Sequence, residues 1–119
     1  MTELDVFKKI KFYLDLSNKI YSIYLTNNKS YIFARLIFEY NNKTRDTIIE
    51  NIKFIPNELI FSSQSLIIYY DIWLEKWNDL NNSKKFKLFE VFAFENAFTF
   101  PKLEAEKFEN HYLKIINKS

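Results

Sequence analysis

The sequence predicts an α+β fold: an N-terminal helix and two further amphipathic helices packed on an antiparallel sheet of three to four strands, in one domain spanning residues 1–119. Three observations predict it. Apolar residues recur at helical spacing over residues 2–17, from Pro56 to Leu80, and after Pro101. Between those stretches β-branched and aromatic residues dominate, as they do in strands. Asn pairs stand where hairpins need turns, and a chain with no glycine has no better residue for a left-handed backbone position.

Thr2 with Asp5 three residues on is an N-cap signal, and Val6, Phe7, Ile10, Tyr13 and Leu14 follow on one helical face, with Lys8, Lys11 and Asp15 on the other. Ile20 to Thr26 and Tyr31 to Tyr40 are expected as a hairpin around Asn27-Asn28. Asn41-Asn42 is expected to turn the chain again. Thr47 to Ile55 reads as a third strand or as a helix, since Ile48, Ile49, Ile52 and Ile55 fit both. Pro56 suits a helix start, and the helix to Leu80 has Leu66, Tyr70, Trp73 and Trp77 as its buried stripe, beside Leu74 and Leu80. Asn81-Asn82-Ser83 ends it. Phe86 to Glu95 is expected as another strand, and Pro101 opens a last helix with Ala105, Phe108, Tyr112, Leu113, Ile115 and Ile116 on one face.

The composition removes most chemistry. With 0 Gly there is no glycine-rich phosphate loop and no G-x-S-x-G elbow, because both need φ > 0 or close backbone approach. With 0 Cys and 1 His there is no thiol catalysis, no disulfide and no Cys or two-His metal site, so no cofactor or metal is expected. The start, MTELDVFKKIKF, lacks the apolar core of a secretory signal, and the richest apolar stretch, Leu66 to Leu74, is cut by Asp71. The cytoplasm is the expected address, without a membrane span. The net charge of +2 is far from the basic excess of a protein held to nucleic acid by phosphate contacts.

Three constellations bear on function. Glu104, Glu106 and Glu109 are the densest acids, but on a helix Glu104 and Glu106 point apart and Lys102 and Lys107 interleave, as on a solvated face; His111 on the same helix reads as a surface histidine. Tyr31, Phe33 and Arg35 on a strand, with Lys19 and Lys29 nearby, could stack bases, which supports an alternative as a small nucleic-acid-binding or regulatory protein. Asp71, Glu75 and Asp79, spaced i, i+4, i+8, make an acidic stripe opposite the buried one, with Lys76 as the nearby base and Ile68 and Ile72 on the same outward side. An apolar centre with a charged rim is the pattern of a protein interface. From Pro56 to Ser83 the charge is −3, while the remainder carries +5.

The stretch IPNELIFSSQSLIIYYDIWLEKWNDL (55–80), followed by FEVFAFENAFTFPKLEAEKFENHY (89–112), resembles the small immunity proteins of bacterial toxin systems, especially those of contact-dependent growth inhibition. The resemblance implies a non-enzymatic protein that binds and neutralises a cognate toxin domain, a nuclease among the candidates, in the cytoplasm. On that reading Ile68, Asp71, Ile72, Glu75 and Asp79 form the partner-binding face, with no small-molecule cofactor and no membrane partner.

Overall fold

The fold is helical throughout, which overturns the expected α+β class. A computed structural model describes residues 2–118 and contains four helices: α1 (Glu3–Thr26), α2 (Tyr31–Glu50), α3 (Ile60–Ser83) and α4 (Lys102–Asn117). Helix of all kinds takes up 77% of the described residues, which contain no strand. One isolated antiparallel bridge, Ser30 to Val91, is the nearest approach to a ladder.

The start of α1 follows its sequence signal. The Asp5 N–H donates to Thr2 Oγ1 at 3.2 Å and the Thr2 N–H donates to Asp5 Oδ2 at 3.0 Å, closing a reciprocal capping box. The helix then continues past residue 17 to Thr26, burying Ser17 and Ile20, so Ile20 to Thr26 is helix and not strand. Asn27-Asn28 does turn the chain. Asn28 (φ 57°) and Lys29 (φ 51°) both adopt the left-handed conformation, and the turn joins two helices instead of two strands.

The second expected strand, Tyr31 to Tyr40, is the first half of α2, and Asn41-Asn42 lies inside that helix. The face that α2 buries is Ala34, Ile37, Asn41, Thr44, Thr47 and Ile48, half of it polar. Thr44 Oγ1 donates to the Tyr40 carbonyl at 2.8 Å and Thr47 Oγ1 to the Lys43 carbonyl at 2.6 Å. Hydroxyls satisfied within their own helix can be buried at little cost, and they hide the helical period from a reading based on hydrophobicity. Residues 47–55 finish α2 and then form a 3-10 turn, Ile52–Phe54.

Pro56 introduces a second 3-10 turn, Asn57–Leu59, which runs into α3. On α3 the expected stripe is in place: Leu66, Tyr70, Leu74 and Trp77 are buried, Trp73 is half-buried, and the helix ends at Ser83. The last helix begins directly after Pro101 and buries Phe108. α1 packs on α2 and α4, and α3 packs on the same two, so the four helices close around a core of Val6, Phe7, Ile10, Ile48, Leu66, Tyr70 and Phe108.

Residues 84–101 link α3 to α4 without regular structure, so the strand expected over 86–95 is absent. This segment caps α2. The Tyr31 N–H donates to the Glu90 carbonyl at 2.8 Å and the Ile32 N–H to the Leu88 carbonyl at 2.9 Å, satisfying donors that a helix start leaves open and that Ser30 does not cap. Phe92 then plugs a second ring cluster. Its ring lies 4.9 Å from Trp77, 5.2 Å from Tyr31 and 4.8 Å from Phe86, while Trp77 Nε1 donates to the Ala34 carbonyl at 3.1 Å.

Replacing Phe92 by Ala should cost about 3–5 kcal/mol, the range for truncating a buried aromatic ring, measured by urea unfolding. The hydrogen bonds of Thr2 hold Asp5 below its ordinary 3.8, and the Lys84 ammonium holds Glu90 below 4.5. A depressed folded value stabilises above the unfolded value and loses that effect as pH falls through it. Thermal midpoints should therefore drop on acidification from about pH 5 to pH 3, and the double variant Asp5→Asn with Glu90→Gln should drop less steeply.

Candidate functional site

The acidic stripe of α3 lies on its outward side, as its spacing requires. Asp71, Glu75 and Asp79 are all exposed, and Ile68 retains 50% of its surface. Ile72 is half-covered, so Ile68 is the open apolar residue of the face. The three acids do not stand equally free. Arg45 of α2 donates from Nε to Asp71 Oδ1, and from Nη1 to Asp46 Oδ1 at 3.1 Å. The Asp71 carboxylate raises the guanidinium's pKa above its ordinary value. Relief for the like-charged stripe thus comes from a neighbouring helix, which spacing along α3 could not reveal. Glu75 and Asp79 are left as the outward negative charge of α3.

The other constellations come apart in three dimensions. Tyr31, Phe33 and Arg35 sit on α2, where Phe33 points away from the other two; the Arg35 guanidinium lies 5.9 Å from the Tyr31 ring, which packs 5.4 Å from Phe86 and 6.2 Å from Trp77. The base-stacking strip expected on a strand does not exist. Glu104, whose side chain is largely covered, pairs with Lys107 one turn on at 3.2 Å, whereas Glu109 pairs across to Lys11 of α1 at 3.3 Å, so the acids expected on one solvated face with local partners are divided between a local and an interhelical ion pair. His111 is less exposed than a surface histidine. Its ring lies 4.5 Å from that of Phe7, its side chain is 18% exposed, and Nε2 stands 3.7 Å from Glu3 Oε1. Among the described residues no cluster of three His, Asp or Glu could hold a metal ion, and no helix is long and apolar enough to cross a membrane.

A cleft of about 500 Å³ opens between α1, α2, α3 and the irregular segment, walled by Tyr24, Tyr69, Trp73, Trp77, Phe94 and Phe100. Ser17 Oγ and Asn96 Nδ2, from two residues on its wall, are buried without hydrogen-bond partners. Burial pushes the phenols of Tyr24 and Tyr69 up to about 12, so both stay protonated near neutrality. The i, i+4 tryptophans were the only local sign of this cleft, and they read equally well as core.

Comparison of the chain with protein-family models, curated proteins and solved structures gives no match.

The Arg45–Asp71 pair is partly exposed, so Asp71→Ala should lower stability by no more than about 1 kcal/mol in urea unfolding. A larger loss would mean that the pair holds α2 against α3.

Proposed function

We propose that this chain acts by binding and not by catalysis, as an immunity protein that neutralises a cognate bacterial toxin domain. The observation that supports this reading is the outward face of α3, where the half-exposed Ile68 is followed by exposed Asp71, Glu75 and Asp79. Within residues 56–83 the charge is −3 although the whole chain is +2, and with Asp71 paired to Arg45 the outward negative charge of the face is carried by Glu75 and Asp79. Such a face suits a basic partner: charge complementarity speeds encounter, and apolar contact slows dissociation. A nuclease domain, whose substrate is anionic, belongs to the class of partner it would take. The alternative of a nucleic-acid binder has less support, because the Tyr31 ring it would use for stacking packs against Phe86 and Phe92.

The test is a pull-down of tagged protein from the lysate of its own cells, with and without nuclease treatment, followed by mass spectrometry. One protein at near-stoichiometric amount, unaffected by nuclease, is the expected result. The double variant Glu75→Lys with Asp79→Lys should keep its helical spectrum and slow association with that protein by about tenfold or more at low salt. Unchanged binding by this variant would remove the α3 face from the interface; recovery of nucleic acid in place of a protein would overturn the function.

A further inference from the structure

The opposite chemistry is concentrated elsewhere on the molecule. Between Asp15 and Glu39 the chain contains no acidic residue, while Lys19, Lys29 and Arg35 fall within that stretch. It comprises the later turns of α1, the left-handed turn and the start of α2. Over residues 84–91 the loop that follows α3 adds Lys84, Lys85 and Lys87 against Glu90, which is occupied by an ion pair with Lys84; its other acid, Glu95, lies beyond the buried Phe92. These two segments are one surface region because their backbones are joined: Ser30 bridges Val91, the Tyr31 and Ile32 N–H groups donate to the Glu90 and Leu88 carbonyls, and the Phe92 N–H donates to the Lys29 carbonyl at 2.9 Å.

The same region exposes large apolar side chains. Phe89 is 77% exposed, Val91 62% and Leu88 48%, and on the adjoining last turns of α1 Leu25 is 48% exposed. The loop cannot withdraw them into the core, because its carbonyls are committed to capping α2 and its inward ring is Phe92. An apolar tip set among lysines is the arrangement that enters an anionic lipid interface: the rings and aliphatic chains leave water while the ammonium groups remain at the level of the phosphates. Asp79 stands toward this end of α3, and its charge favours an orientation that keeps α3 off the lipid.

We propose that the tip Leu88-Phe89-Val91, with Lys29, Lys85 and Lys87 around it, is a docking surface for an anionic lipid membrane. It lies apart from the α3 face and does not depend on the immunity reading. Docking through the tip leaves the chain peripheral to the bilayer.

Co-sedimentation of the intact chain with large vesicles tests this directly. Binding is expected to vesicles of phosphatidylcholine containing about one third phosphatidylserine, weak or absent binding to phosphatidylcholine alone, and release as salt is raised through physiological strength. Phe89→Asp should reduce the partition coefficient about tenfold by removing one buried ring, and Lys85→Glu with Lys87→Glu should reduce it by at least as much. All three positions are exposed, so helical spectra and thermal midpoints should match the parent chain, and Glu75→Lys with Asp79→Lys should not weaken vesicle binding. Equal binding to both vesicle types, no binding to either, or binding indifferent to Phe89→Asp would each overturn the proposal. So would vesicle binding that is absent while an acidic protein is captured by the parent chain and lost by Phe89→Asp, which would assign the tip to a protein partner.

Discussion

The packing of Phe92 against Trp77 is the constraint on which the rest of this structure depends. Four helices can close around the core of Phe7, Ile10, Leu66 and Tyr70, but residues 84–101 have no regular backbone pairing of their own. What ties them down is a buried ring set between Trp77, Tyr31 and Phe86, with the Phe92 carbonyl accepting from the Tyr24 hydroxyl. Once Phe92 is seated, the preceding carbonyls meet the open donors of α2, and the following residues roof the cleft above Trp73 and Trp77. A single aromatic contact thereby sets a helix cap, a cleft wall and the orientation of an exposed loop tip. Aromatic rings suit this role because each buries a large area through few rotatable bonds.

Charge is distributed as unevenly as shape. The acids of α3 and the bases of the α1–α2 turn and the 84–91 loop sit on different parts of an elongated molecule of 48 × 24 × 22 Å. At physiological salt, fields from exposed charges decay over about 8 Å, so Glu75 acts largely apart from the loop lysines, while Asp79, on the last turns of α3, lies near enough to influence them. Arg45 sharpens the division by taking up Asp71 within the fold, which leaves Glu75 and Asp79 as the outward acids of the stripe.

Where local chemistry is strong, the sequence was legible. The Thr2–Asp5 box, the turn at Asn27-Asn28, the stripe of Leu66, Tyr70 and Trp77, the stop at Ser83 and the helix after Pro101 all stand as read. The errors lay over residues 86–95, which form no strand, and between residues 17 and 55. There β-branched and aromatic residues suggested strands, while the helical period that decides the matter passes through Ser17, Asn41, Thr44 and Thr47. A buried threonine that bonds its own i−4 carbonyl counts as core, yet it reads as polar. The acidic stripe was legible because it depends on one helix alone; its partner Arg45, the cleft and the basic tip were not, since each joins residues far apart in the chain.

By itself the sequence determined which residue types this chain lacks, where several elements start and stop, and the composition of each helix face, because those properties reside in residue type and short-range spacing. Tertiary structure alone decided that residues 20–26 and 31–40 are helices and not a hairpin, since intrinsic preferences of a few tenths of a kcal/mol per residue yield to the burial of whole helix faces. It also decided which exposed groups share a surface, because only packing brings the α1–α2 turn beside the 84–91 loop.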